Sequence, residues 1–265
     1  MQEPGDQATD LAHADIGIVC ALTIEVRPFL ERCDRLKKYV GGRFVFRGGF
    51  LRDARVVVVE SGMGYARARD ATLAMLDAHT PTWILACGFA GALRPDMRIG
   101  DIVIPRRIVD THGQALDVPL KMASDPSRGL HVGTVLTADH LVRTVAEKQQ
   151  LAERFGAIAV DVETLAVAQV CRDEKKPFMA VRAISDDLSS DLPPEVLTVV
   201  GDTGVMRFGA ALGALWKRPS SVKDILRLRE SAHQAAERLA IFLDGVIAQL
   251  HETITSPAEQ TEPPA

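Results

Sequence analysis

Three carboxylates, Glu25, Glu163 and Asp186, each follow a short apolar run that reads as a buried β-strand. In a parallel sheet, ligands bind outside the carboxyl ends of the strands, so acids at those places converge. Such a set suits cleavage of a glycosidic bond through an oxocarbenium-like sugar. That reaction needs an acid for the departing group, a base for the incoming water, and groups that hold the sugar hydroxyls. Carboxylates fill all three roles when their surroundings push their pKa values apart. Each acid also has a plainer reading. Glu25 is a first-turn glutamate favoured by the helix dipole, Glu163 opens the helix that follows it, and Asp186 in Ser185-Asp186-Asp187 is turn chemistry.

Two glycine-rich segments stand beside the acids. Ser61-Gly62-Met63-Gly64 lies between a strand and a helix, where backbone N–H groups can cradle an anion. The same spacing fits a tight turn. Gly88-Phe89-Ala90-Gly91 carries the same two readings.

The elements that position these groups alternate. Strands are expected at Ile16–Leu22, Arg43–Phe50, Arg55–Val59, Trp83–Cys87, Gly100–Pro105, His131–Thr137, Ala157–Asp161 and Phe178–Ser185. Helices are expected over Ile24–Arg35, Tyr65–Ala78, Leu141–Arg154 and Glu163–Cys171. Buried strands alternating with helices imply one α/β domain, a mostly parallel mixed sheet flanked by helices, over residues 14–252. From Asp187 the character changes. Val205–Trp216 is apolar and rich in small residues, Lys217-Arg218-Pro219 stops it, and Ser221 with Asp224 opens a long amphipathic helix to about Leu250. This makes 205–250 a helical extension. Residues 1–13 read as a disordered lead and 253–265 as a disordered tail.

Composition narrows the function classes. A formal net charge of -4 without a basic stripe argues against a nucleic-acid binder. No apolar run approaches the roughly 20 residues of a membrane span, and no signal peptide is readable. Cys20, Cys33, Cys87 and Cys171 form no CxxC pair, so reduced thiols and a cytoplasmic location are expected. The seven histidines show no ligand spacing, and neither a metal nor a cofactor is implied.

The ordered set of blocks resembles the purine nucleoside phosphorylase and nucleosidase superfamily over nearly all of residues 14–187. The blocks are Ile16-Gly17-Ile18-Val19-Cys20-Ala21 with Glu25-Val26, then Ser61-Gly62-Met63-Gly64. Next come Cys87-Gly88-Phe89-Ala90-Gly91 through Gly100-Asp101-Ile102-Val103, and finally Ala157–Glu163 with Arg182-Ala183-Ile184-Ser185-Asp186. The general pattern is that of methylthioadenosine/S-adenosylhomocysteine nucleosidases. The resemblance implies that Glu25 helps activate water, Glu163 holds the ribose hydroxyls and Val162 packs on the sugar. It implies that Asp186 shares or delivers the proton to purine N7 and that Arg182 steadies the carboxylates and water. Gly88, Phe89 and Met63 would line the substrate. Leu141 and Val142 fall where the family has its base-binding aromatic and a backbone contact to the purine. Leu141 replaces that aromatic, and Phe89 replaces a serine.

Phosphorylases of this superfamily bind phosphate through an arginine before the Gly88 position, a serine after it, and a Gly-Asp-Pro-type loop. Here those places hold Ala86, Phe89 and Ala21-Leu22-Thr23-Ile24, so water is the expected nucleophile and a small-molecule nucleoside the expected partner. Phosphorolysis, futalosine-type hydrolysis and a catalytically silent nucleoside-binding protein are the alternatives. The C-terminal third, with Ala146-Glu147-Lys148, Asp191-Leu192-Pro193-Pro194 and Trp216–Pro219, resembles the hopanoid-associated nucleosidases, which release adenine from adenosylhopane. Val162 and Thr164 depart from the Met and Ser of that branch. That resemblance implies that Phe208–Trp216 serves a long apolar 5′ group or a membrane edge. A packed helix or a homo-oligomer surface is the competing reading of the segment.

Overall fold

The computed structural model describes residues 13–194, 196 and 221–256. Residues 1–12, the 205–218 segment and 257–265 lie outside the described residues, and with them the expected lead and the apolar extension.

Strand β1 (Ile16–Cys20) is apolar or glycine throughout and buried throughout. It lies between two parallel neighbours, β4 (Ala54–Glu60) and β5 (Trp83–Ala92). That is the environment in which a strand has no polar face to show. Strand β5 pairs in parallel with β10 (Phe178–Asp186). Through β9 (Ala159–Asp161), β8 (Leu130–Thr137) and β6 (Ile102–Asp110) the pairing returns to β10, so five strands close a ring. This closure has no signature in any one strand. On the other side, β4 continues as an antiparallel meander through β3 (Phe44–Leu51) to β2 (Asp34–Gly41). The short β7 (Ala115–Asp117) pairs with β6. Antiparallel pairs are thus as numerous as parallel ones among the described strands, and the parallel ones form the middle of the sheet.

Two layers of helices cover the sheet. Helix α1 (Thr23–Leu30) and α5 (Ser221–Thr255) share a core with β1, β5 and β10. From α5 this core takes Ala235, Leu239, Leu243 and Ile247, a stripe at helical spacing. Helices α2 (Tyr65–His79) and α4 (Thr164–Asp173) pack on the other face through Ala68, Ala71, Met75, Ala166, Val167 and Cys171. Helix α3 (Val145–Phe155) completes the set. None of the described helices is long and apolar enough to cross a membrane.

Three expectations shift. The first helix ends at Leu30 rather than Arg35, because Asp34–Gly41 is taken up as an exposed edge strand against β3. Its Arg35, Lys37 and Lys38 disguise it as a helix surface, and such charges are what blunt an exposed edge. The helix expected from Leu141 begins at Val145, where the Thr144 side chain accepts a hydrogen bond from the Glu147 amide. Helix α5 runs past Leu250 to Thr255, through residues expected to belong to the tail.

Candidate active site

Glu25 and Asp186 stand at the ends of β1 and β10, which are parallel to β5. Strand β9, which Glu163 follows, runs antiparallel to β5 and carries Glu163 back along it. Glu25 sits in the first turn of α1, immediately after β1, and is buried. Its Oε2 accepts from the Ala21 and Leu22 amides at 2.8 Å each, and its Oε1 accepts from the Phe89 amide at 3.0 Å. The plain reading of a helix-opening glutamate therefore holds for one oxygen, while the other reaches across to β5. Glu163, between β9 and α4, is equally buried, and its Oε1 accepts from the Gly64 amide at 2.8 Å. That bond joins the Ser61–Gly64 loop to the site. Gly64 there has φ of 101°, a conformation few other residues adopt. An anion-cradling amide is thus committed to the protein's own carboxylate. Met63 lies half-buried in the same loop.

Arg182, 1 % exposed, is the hub. Its Nη2 lies 2.8 Å from Asp161 Oδ2, and its Nε donates to Thr164 Oγ1 at 2.8 Å. Asp161 also accepts from Thr137 Oγ1 at 2.9 Å, from the Thr164 amide at 3.1 Å and from the Thr164 hydroxyl. Asp161 was not among the residues singled out from the sequence, where it reads only as the end of a strand. It fixes the guanidinium, and the Thr164 hydroxyl bridges the two.

One guanidinium cannot offset three buried carboxylates. Asp161 takes it directly. Burial pushes the Glu25 carboxyl up, against the pull of Arg182 and the three amides. Burial likewise pushes Glu163 up to about 8, with Asp161 and Glu25 adding repulsion against the pull of Arg182. Carboxyls tuned toward neutrality are what proton transfer at physiological pH requires. The shift has a stability consequence. The folded protein keeps a proton on Glu163 that an unfolded glutamate gives up near 4.5, so stability is lost as pH rises from there toward 8. Glu163→Gln abolishes this titration and can retain the bond to Gly64. Its Tm should therefore climb relative to the wild type between about pH 5 and about pH 9. A Tm difference that ignores pH over that range would show that Glu163 does not change protonation.

The Gly88–Gly91 segment is neither a tight turn nor an anion loop. It is strand, and β5 runs through it to Ala92. Gly88 pairs with Arg182, and Gly91 with Asp186. A Cβ at Gly88 would collide with the Arg182 guanidinium and lie 2.8 Å from Glu25 Oε1. A Cβ at Gly91 would lie 2.9 Å from Asp186 Oδ2 and 3.2 Å from Lys148 Cε. Gly88 thus leaves room for Arg182 and Glu25, and Gly91 for Asp186 and Lys148. Three residues apart on a strand, they open to opposite faces, and at 3.3 Å per residue the two halves of the segment are about 10 Å apart.

Asp186 stands over the second half, half-buried at the end of β10. A register shift between Ile184 and Asp186 places it opposite Gly91, and such a bulge re-aims a side chain at a strand end. Its Oδ1 accepts from the Ser185 hydroxyl at 2.7 Å, and its Oδ2 pairs with the ammonium of Lys148.

The remaining expected residues divide. Val162 is buried between the two acids of the 161–163 turn. Phe89 joins the site through its amide, while its ring packs against the core shared with α5. Val142 is buried in a separate apolar cluster with Leu93, Leu136 and Val160, and Leu141 is half-buried in the loop before α3. The structure does not bring the Val142 side chain to the acids. Cys87 and Cys20 lie beneath Gly88 in the core, and burial pushes the Cys87 thiol up to about 12, so neither is a nucleophile.

The chain is similar to known proteins in sequence and in fold. The family model described as the phosphorylase superfamily matches residues 15–215. The 5′-methylthioadenosine/S-adenosylhomocysteine nucleosidase of Staphylococcus aureus (strain MRSA252) is 28% identical over 195 residues, covering 64% of this chain and 86% of its own length. Among solved structures, the Neisseria meningitidis 5′-methylthioadenosine/S-adenosylhomocysteine nucleosidase bound to methylthio-immucillin-A superposes with a TM-score of 0.63. It is 20% identical and covers 87% of this chain and 98% of its own. The futalosine hydrolase of Helicobacter pylori superposes with a TM-score of 0.66 at 20% identity, covering 91% of this chain and 99% of its own.

Proposed function

This chain belongs to the phosphorylase superfamily, and we propose that within it the chain is a nucleosidase, hydrolysing the N-glycosidic bond of an adenine nucleoside. The observation that carries this reading is Glu25. Its carboxylate occupies the Ala21, Leu22 and Phe89 amides and lies in the field of Arg182, the donors an attacking phosphate would need. A phosphate dianion there would meet a carboxylate instead of amides. Water meets no such penalty.

In this reading Glu25 takes a proton from the attacking water, and Glu163 holds the ribose hydroxyls beside Val162. Arg182, fixed by Asp161, lies in the field of both and partly offsets their charge. Asp186, beside Gly91, is the acid that shares or delivers the proton to purine N7 and so makes the base a leaving group. The names of the relatives support adenine nucleosides with small 5′ groups and futalosine. The sequence resemblance of the C-terminal third favours a bulky apolar 5′ group instead, with adenosylhopane as the substrate.

The test is base release with and without phosphate, with the sugar product identified. Release should proceed at an unchanged rate without phosphate and yield the free sugar. A strict phosphate requirement, with sugar 1-phosphate as product, would make the chain a phosphorylase. Running methylthioadenosine beside nucleosides with longer 5′ alkyl chains tests the substrate. Each buried methylene is worth up to about 0.8 kcal/mol, so kcat/KM should rise steeply with chain length, and a flat series would favour the small-substituent reading.

A further inference from the structure

Helix α3 has the sequence VAEKQQLAERF, and its one fully buried residue is a lysine. Lys148 has no exposed surface, although a leucine or methionine would dock the helix at less cost in desolvation. All its donors point one way. Nζ pairs with Asp186 Oδ2, and also donates to the main-chain oxygens of Asp186 at 3.4 Å and Asp187 at 3.1 Å. Its Cε lies against Gly91, where any larger residue would displace it. Among the described residues, the only carboxylate that Lys148 meets is the one assigned as the acid.

We propose that Lys148 is a positioning residue for Asp186. It acts through that carboxyl and does not touch the nucleoside. The ammonium grips both the side chain and the main chain at the bulged end of β10, and the Ser185 hydroxyl holds the other oxygen. The carboxyl is thereby fixed beside Gly91, where no side chain stands between it and the strand. This inference rests on the nucleosidase reading and on Asp186 being its acid.

The test separates proton delivery from everything else by changing the leaving group. Adenine departs only when protonated, whereas nitrophenolate departs without a proton. In Lys148→Met, kcat for an adenine nucleoside that the wild type cleaves should fall about 10- to 100-fold with KM little changed, the range of an impaired acid. The loss on a nitrophenyl riboside should be at least about tenfold smaller. Equal losses on both substrates would make Lys148 a packing residue and overturn the proposal. Should Lys148→Met not fold, Lys148→Met with Asp186→Asn leaves no unpaired charge. Its kcat should equal that of Asp186→Asn alone, since two residues acting as one unit do not add. A further loss in the double variant would overturn the proposal. If the wild type cleaves neither substrate, the nucleosidase reading itself falls and the proposal with it.

Discussion

Asp186→Asn should lower kcat for adenine nucleosides by about 10²-fold or more, the usual consequence of removing a general acid. Asparagine keeps the size and can still accept from Ser185, but it has no proton to pass to N7. The substitution also strands Lys148, which is wholly buried and pairs with this carboxylate. Removing one partner of a buried pair costs on the order of 3 kcal/mol. The variant should therefore be less stable as well as slow, contrary to what the bare sequence implies for so conservative a change. Kinetics at saturating substrate, together with urea unfolding of the same preparation, measure both effects. A variant that is destabilised yet turns over normally would remove Asp186 from the chemistry and leave it a purely structural partner of Lys148.

Replacing Arg182 should have the largest effect on folding. Arg182→Met leaves Asp161, Glu25 and Glu163 buried around a side chain without charge. Loss of the one cation in such a cluster is expected to cost about 3–5 kcal/mol. For a domain of this size that lowers Tm by roughly 2–4 °C per kcal/mol. The deficit should shrink on acidification below neutral pH, because Glu25, raised from 4.5, then takes up a proton instead of standing unpaired, as Glu163, raised to about 8, already does at neutral pH. Thermal melts across pH measure this. A deficit under 1 kcal/mol at neutral pH, or one that deepens in acid, would show that the carboxylates do not depend on Arg182.

The class of the protein is legible in its strands. Ile16–Cys20 and the first half of β5 carry no polar residue because each is covered on both faces, and composition records that directly. Glu25, Glu163 and Asp186 stand out in the sequence because each follows an apolar run. Parallel strands end on the same side of a sheet, which accounts for Glu25 and Asp186. Glu163 follows β9, which runs antiparallel to β5, and that the sequence does not show. Glu25 and Glu163 share the field of Arg182, while Asp186 stands apart against Lys148. What stayed hidden is pairing between residues far apart in the chain. Lys148 and Asp186 are 38 residues apart, and on α3 the lysine looks like one more solvated charge. Asp161 looks like a strand end until Arg182 is seen against it. The glycines at 88 and 91 suggested a turn, because flexibility is the commonest use of glycine. Only the packed structure shows that they are absences of side chain, required by Glu25, Arg182, Lys148 and Asp186 lying across β5. The bulge that aims Asp186 and the closure of the ring through β10 are likewise set by neighbouring strands. Period and propensity describe a residue's own element, whereas charge compensation and register belong to whichever element packs against it.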